Sequence, residues 1–343
     1  MATQAPRTAA TMPQDRLGRP LRDLRLSVIE ACNFRCGYCM PEGREVEDEA
    51  LGAQRRLTFE QMETLVRGFV RTGVRKLRLT GGEPLLRRHL PDLVARLAAI
   101  EGLEDVAMTT NGTLLRGQAA ALRQAGLGRI TVSLDALDPE LFHRLSGGRG
   151  EVAQVLDGIA AAEEAGFGPL KINCVVQRGV NEDQVLPLLA HFRGSGHVVR
   201  FIEYMDVGTC NGWRRDDAVA SAELRDRIDA RWPLRALAPA YRGEVAERYA
   251  FADGTGEVGF VSSISQPFCG DCHRARVSAD GRLFTCLFAA DGTSLMEALE
   301  QGEQAVSERV AALWSRRADR YSELRGERAR VGGRHVEMYL IGG

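Results

Sequence analysis

Six of the eight cysteines fall into two groups of three. Cys32, Cys36 and Cys39 stand in ACNFRCGYCMP, and Cys269, Cys272 and Cys286 in FCGDCHRARVSADGRLFTC. Cysteines clustered in this way in a reducing compartment point to metal ligation more than to disulfides. The first three lie within eight residues, so their thiolates can wrap one inorganic centre from a single loop. Three ligands are one short of the four that usually hold an iron–sulfur cluster. One iron then stays open, by the logic that separates a catalytic zinc site from a closed structural one. A structural zinc completed by a histidine or a remote cysteine, or free buried thiols, are the alternatives.

In the second group Asp280-Gly281 signals a hairpin turn. Pairing Ser278 with Arg282 places Arg274 opposite Cys286 and returns Cys286 to the Cys269/Cys272 pair. A zinc ribbon uses the same design, but it needs a second CxxC or a histidine pair, which is absent from this group. His273 would lie inside the first strand of that hairpin. Cys174 is expected to be buried and structural, and Cys210 to be an inert thiol in a loop.

The cations form the second chemical set. The chain has 343 residues, 45 Lys+Arg against 46 Asp+Glu, and a net charge of -1, with only Lys76 and Lys171 written as lysine. That balance argues against a broad basic surface for nucleic acid and against a polybasic membrane binder. It leaves room for a local basic pocket. Strand side chains alternate between faces. Lys76 and Arg78 therefore share one face in KLRLT, as do Arg25 and Ser27 in LRLSV. The same holds for Lys171 with Asn173, and for Thr131, Ser133 and Asp135; Arg200 opens RFIEYMD. Helices bury the outer faces of parallel strands, so this polar face must look inward. An unpaired buried cation costs several kcal/mol; four or five of them in one cavity require an anion, and a polyphosphate fits that charge best.

Positioning these residues requires alternating strands and helices. Probable strands are Leu24–Ile29, Lys76–Thr80, Asp105–Thr109, Ile130–Leu134, Leu170–Val176 and Val198–Ile202. Between them fall helical patterns at Phe59–Thr72 opened by Thr58, His89–Ala99, Arg116–Ala125, Val152–Ala165 and Asp183–Phe192. Such alternation predicts a parallel sheet with crossover helices. Six units closed part-way give an α/β fold with an incomplete (β/α)6 TIM-like barrel; an open doubly wound sheet is the runner-up. Beyond about 206 the rhythm changes, and a C-terminal domain carrying the second cysteine group begins between 215 and 240. The division is then 1–14 a disordered leader, 15–225 the partial barrel, 226–331 the cluster-binding domain and 332–343 a flexible tail ending in Gly342-Gly343. No apolar run approaches the roughly 20 residues needed to cross a bilayer. The first fourteen residues lack the apolar centre of a secretory signal, so a cytoplasmic location is expected.

CxxxCxxC with Tyr38 before its last cysteine, followed by TGGEP after the second strand, resembles the signature of radical S-adenosylmethionine (SAM) enzymes. Barrel enzymes place chemistry at the carboxyl ends of their strands, where both motifs fall. With KLRLTGGEPLLR, TTNG, ITVSLDAL, KINCVVQRGVN, RFIEYMDVG, FCGDCHRARVSADGRLFTCLF and the terminal IGG, the chain is similar from Asp15 to Gly343 to the GTP 3′,8-cyclases, which open molybdenum-cofactor biosynthesis.

That resemblance implies two [4Fe–4S] clusters and SAM as cofactors. Cys32, Cys36 and Cys39 would be catalytic and hold the SAM cluster, with Tyr38, Gly82, Ser133 and Met205 lining the SAM site. Cys269, Cys272 and Cys286 would hold a second cluster facing the guanine base. Arg25, Arg78, Thr109, Lys171, Arg274, Ala275 and Arg276 would bind GTP, assisted by Lys76 and Arg200. Gly342 and Gly343 match a tail that reaches into the active site. The implied reaction is cyclisation of GTP to (8S)-3′,8-cyclo-7,8-dihydroguanosine 5′-triphosphate. Implied partners are a flavodoxin or ferredoxin as reductant and cyclic pyranopterin monophosphate synthase as recipient of the product, with a homodimer left open. His273 stands where the family carries Asn, and Glu30-Ala31 replaces the usual polar pair before Cys32. The rivals are another two-cluster radical SAM enzyme, such as one acting on a peptide, and a zinc-binding interaction protein.

Overall fold

The chain is described by a computed structural model over residues 12–40, 55–209, 211–328 and 335–342. The first eleven residues of the expected leader, Cys210, residues 332–334 of the expected tail and Gly343 lie outside the described residues.

Leucine and polar residues alternate along the first strands, and this alternation builds the sheet. In β1 (Asp23–Ser27) and β2 (Lys76–Thr80) the leucines are fully buried while Arg25, Lys76 and Arg78 are half-buried on the other face. β3 (Asp105–Thr110), β4 (Arg129–Ser133), β5 (Lys171–Val176) and β6 (Val198–Glu203) follow, each pairing in parallel with the one before. Burial in β5 and β6 alternates strictly, putting Cys174 in the core and Lys171, Asn173 and Arg200 on the opposite face.

Crossover helices cover the outer face. Phe59–Arg71 is opened by Thr58, whose hydroxyl accepts from the Gln61 amide (3.2 Å) while the Thr58 amide donates to the Gln61 side chain (2.9 Å). This reciprocal cap satisfies two amides that a helix start otherwise leaves open. Leu90–Ala98, Val152–Glu164 and Val185–Phe192 fall where the periodicity places them. The segment expected as one helix over 116–125 is instead a 3-10 turn, Leu115–Gly117, and a short helix, Ala119–Gln124. Pro139–Leu145 is an additional helix, capped by Asp138 through the Leu141 amide (2.8 Å).

Among the described residues the C-terminal third builds no separate sheet. β10 (Arg274–Val277) pairs in parallel with β1, and β9 (Glu257–Val261) in parallel with β6. Outside them β7 (Leu234–Leu237) and β8 (Glu247–Phe251) extend one edge, and β11 (Arg282–Phe284) and β12 (Thr293–Ser294) the other. Among the described residues the order is β12-β11-β10-β1-β2-β3-β4-β5-β6-β9-β8-β7. The sheet is open and does not return on itself, as an incomplete barrel requires. The hairpin register pairs Arg276 with Phe284, and the Ser278 amide donates to Arg282 O (3.0 Å). This is the alignment that places Arg274 opposite Cys286.

Candidate functional site

Because β10 runs parallel to β1 with Arg274 beside Asp23, Cys272 lies at the starting end of the strands. Cys32, Cys36 and Cys39 follow β1 and lie at the finishing end. One cavity of about 810 Å³ is lined by all six of these cysteines. The strand cations Arg25, Lys76, Arg78, Lys171, Arg200, Arg274 and Arg276 line the space between, together with Thr109.

Burial decides the state of these cations. Arg25 is held well below the usual guanidinium range by burial and then by Arg276, Arg274 and Arg78. Burial lowers Arg78 too; it donates to Thr109 Oγ1 and Thr131 Oγ1, both at 3.1 Å. Burial, reinforced by Arg78, brings Arg200 down to about 9, and it donates to Asn173 Oδ1 at 2.8 and 3.0 Å. Arg276 falls to about 9 through burial and Arg274. Lys171 falls to about 8 through burial, Arg200, Arg129 and Arg78. Neutral acceptors serve these cations where carboxylates do not. Such a cavity favours any ligand that brings several negative charges at once.

The loops at the finishing end are tied together. Gly82 and Glu83 donate their amides to Ile29 O and Ala31 O, both at 2.8 Å. A Cβ on Gly82 would run into Ala31 O. Buried Glu83 accepts from Thr110 Oγ1 (2.7 Å), the Asn111 amide (2.7 Å) and the Leu85 amide (3.0 Å), and burial pushes it up to about 7. Asn111 Nδ2 donates to Asn33 Oδ1 (2.8 Å), and Asn33 Nδ2 to Thr113 Oγ1 (3.0 Å). The cysteine loop, TGGEP and TTNG are thus joined in one hydrogen-bonded unit. Tyr38 donates to Asp135 Oδ2 (2.7 Å), whose other oxygen accepts from the Val175 amide (2.8 Å); burial raises Asp135 to about 6. Gly82, Ser133 and Met205 line the cavity beside them.

At the starting end, Arg274 Nη2 lies 3.5 Å from Cys272 Sγ. Burial would raise this thiol, but Arg274 and Arg317 outweigh it and bring it down to about 6. Burial raises Cys286 to about 11, and also Cys32 to about 11 and Cys36 well above its ordinary range. Among the described residues no three His, Cys, Asp or Glu side chains gather closely enough to hold a single metal ion. Zinc draws its thiolates onto one centre at about 2.3 Å, whereas a cubane takes each on a different iron and needs them farther apart. Each group turns three thiols to the one cavity, and at the finishing end, where the Phe34 amide donates to Cys32 Sγ at 3.4 Å, that donor set suits an iron–sulfur cluster.

Not every sequence-predicted residue lines the cavity. Ala275 sits in β10 next to Leu24 and is part of the core. His273 turns to Asp23 (Nδ1 to Oδ2 3.3 Å). The chain end is seated over 335–342: Glu337 accepts from the Thr209 amide (3.2 Å) and its hydroxyl, and Arg276 donates to Ile341 O (3.2 Å) and Gly342 O. A Cβ on Gly342 would collide with Thr80.

Several contributors carry no local sequence signal. Arg317 is buried and donates to Asp15, to Thr285 O (3.1 Å) and to Cys272 O (2.8 Å). Arg19 reaches Cys269 O at 2.5 Å and Asp15 at 2.6 Å. Tyr241, from the loop between β7 and β8, lies with its ring centroid 3.6 Å from Lys76 Nζ.

Two family models match the chain: the radical SAM superfamily over residues 26–192, and molybdenum cofactor synthesis C over 197–323. A GTP 3′,8-cyclase of Xanthomonas axonopodis pv. citri (strain 306) is 70% identical over 330 residues, 96% of this chain and 98% of the relative. One from Staphylococcus haemolyticus (strain JCSC1435) is 42% identical over 337 residues, covering 96% and 98%. Among solved structures, Streptococcus suis SuiB bound to S-adenosylmethionine superposes with a TM-score of 0.60 at 16% identity, over 86% of this chain and 65% of that one. The chain therefore spans just under two thirds of that structure's length, and the likeness is one of fold.

Proposed function

The chain belongs to the GTP 3′,8-cyclase family of radical SAM enzymes, and from that membership we infer how its own residues divide the work. It is an enzyme that uses SAM and an iron–sulfur cluster to cyclise GTP to (8S)-3′,8-cyclo-7,8-dihydroguanosine 5′-triphosphate, the first step of molybdenum-cofactor biosynthesis. When bound, the cluster and SAM supply the radical chemistry that opens the C3′–H bond of the GTP ribose.

Cys32, Cys36 and Cys39 would hold that cluster. Gly82 would offer its backbone to the methionine amino group of SAM, and Tyr38, Ser133 and Met205 would line the rest of the SAM site. Arg25, Arg78, Lys171, Arg200, Arg274 and Arg276 would take the triphosphate, with Lys76 at the starting end and Thr109 beside Arg78. Ala275 would contribute through its backbone alone. Cys269, Cys272 and Cys286 would hold a second [4Fe–4S] cluster against the guanine, and the chain end around Gly342 and Gly343 would help to exclude water. The domains divide near residue 225, with the second resting on the edges of the first.

The electron would come from a flavodoxin or ferredoxin, and the product would pass to cyclic pyranopterin monophosphate synthase. Among the described residues no helix is long and apolar enough to cross a membrane, which agrees with a cytoplasmic setting.

The observation that supports this assignment best is the single cavity joining both cysteine groups to the strand cations. A peptide substrate would leave those cations uncompensated. The test is anaerobic incubation of reduced protein with SAM and GTP. The expected products are 5′-deoxyadenosine and cyclised GTP, from protein carrying about eight iron atoms per chain. Intact clusters with no 5′-deoxyadenosine would refute the activity; about four iron atoms per chain would refute the second cluster.

A further inference from the structure

Lys76 opens β2 at the starting end of the cavity, where its surroundings hold its charge without neutralising it. The sheet register puts Asp23 on one side of it and Asp105 on the other. Neither is its ion-pair partner. Asp23 is turned to His273 at 3.3 Å, and Asp105 is taken by Arg129. The Lys76 side chain makes no ion pair or hydrogen bond among the described residues. Its contact is the face of the Tyr241 ring, whose centroid lies 3.6 Å from Nζ.

Tyr241 is carried by the loop 238–246 between β7 and β8, and that loop is fixed in place. Within it, the Ala240 amide donates to Glu244 Oε2 at 2.6 Å and the Glu244 amide to Tyr241 O at 3.2 Å. Arg242 Nε donates to Asp271 Oδ1 at 3.2 Å, between Cys269 and Cys272. Gly243 has a φ of 82°, and a Cβ there would strike His273 Nε2, on the side chain that also takes Asp23. The loop's own carboxylate, Glu244, is turned to Arg248 at 4.0 Å. The Tyr241 hydroxyl makes no hydrogen bond among the described residues. The ring thus reaches Lys76 through its backbone, and the face rather than the hydroxyl makes the contact.

An aromatic face attracts a cation through its quadrupole and carries no net charge. Lys76 therefore keeps its full charge for an anion, whereas a carboxylate in the ring's place would compete with a phosphate. The ring also orders a flexible four-carbon stem, and a group ordered in advance loses less on binding. We propose that Tyr241 is a positioning residue for GTP, holding the Lys76 ammonium at the starting end of the cavity ready for the triphosphate. The proposal rests on the reading that the strand cations take the triphosphate of GTP.

Equilibrium dialysis of GTP against the anaerobic, cluster-loaded chain tests this, with SAM binding at the finishing end as the folding control. Tyr241→Leu should weaken GTP binding about fivefold while SAM binding stays as in the wild type. Tyr241→Phe keeps the ring face and should bind GTP within about twofold of the wild type. In a Lys76→Met background, Tyr241→Leu should cost nothing further, because the ring then has no cation to hold. Unchanged GTP binding in Tyr241→Leu overturns the proposal. So does a Tyr241→Phe loss as large as that of Tyr241→Leu, or the same loss from Tyr241→Leu when Lys76 is already gone. A wild-type chain that binds no GTP would overturn the functional reading, and this proposal with it.

Discussion

Lys171 enters the cavity from β5 with its ammonium brought down to about 8, by burial first and then by Arg200, Arg129 and Arg78. The empty site therefore holds this cation only at lower pH, and a triphosphate beside it favours the charged form. The sign follows: GTP binding is strongest below about pH 8 and weakens as pH rises through that value. Binding near pH 8 should take up a proton, seen as a heat that differs between buffers of unequal ionisation enthalpy. Lys171→Arg should flatten this dependence near pH 8, because the guanidinium starts from a higher intrinsic value and stays charged there. It should still lower turnover roughly tenfold, about 1.4 kcal/mol, since a planar fork replaces a compact charge. Both lysines were legible as inward-facing from strand alternation alone. Tyr241 over Lys76 was not, because nothing near residue 241 reveals which strand its loop covers.

At the scale of elements, β2 and the loop after it show what local sequence encodes. The alternation in KLRLT fixes which side chains enter the cavity, and β2 spans the expected residues, Lys76–Thr80. TGGEP then brings backbone against backbone, with Gly82 pressed onto Ala31 and Glu83 fixing the start of TTNG. Gly82→Ala should push this loop off the cysteine loop. The expected result is at least about a tenfold loss of SAM affinity, worth about 1.4 kcal/mol, with an unchanged far-UV circular dichroism spectrum; equilibrium dialysis with labelled SAM measures it. Where the sequence misled, the reason is also local. Gln118 and Gly117 break the expected helix over 116–125. The helix Pro139–Leu145 has a start signal in Asp138 as cap and Pro139 at its first position, but it is too short to show a full apolar period. The glycines of 147–150 carry no local sign of their role, because their partners Phe34 and Arg35 lie more than a hundred residues away.

At the scale of the molecule, the sequence separates two cysteine groups that the sheet joins. Parallel pairing of β10 with β1 spans some 250 residues, and no periodicity predicts it. The same closure brings Asp15, Arg19 and Arg317 into one buried set that holds the carbonyls of Cys269 and Cys272. Arg317→Met leaves Asp15 with one of its two arginines, so a loss of about 3–5 kcal/mol in unfolding free energy is expected, read by denaturant titration.

Cys269→Ala tests the opposite case, because it removes one thiol from a half-buried position and leaves that buried set in place. The cavity puts the first cysteine group at the finishing end of the strands and the second at the starting end. Loss of Cys269 should therefore leave SAM binding and some reductive cleavage at the first end intact. GTP turnover should fall below detection, with the iron content lowered by about half. The ratio of 5′-deoxyadenosine formed to GTP consumed is the quantity to follow, because it rises if the ends work separately. An equal loss of both would mean that the two ends depend on each other through the shared strands, and that the cavity acts as one site rather than two facing ones.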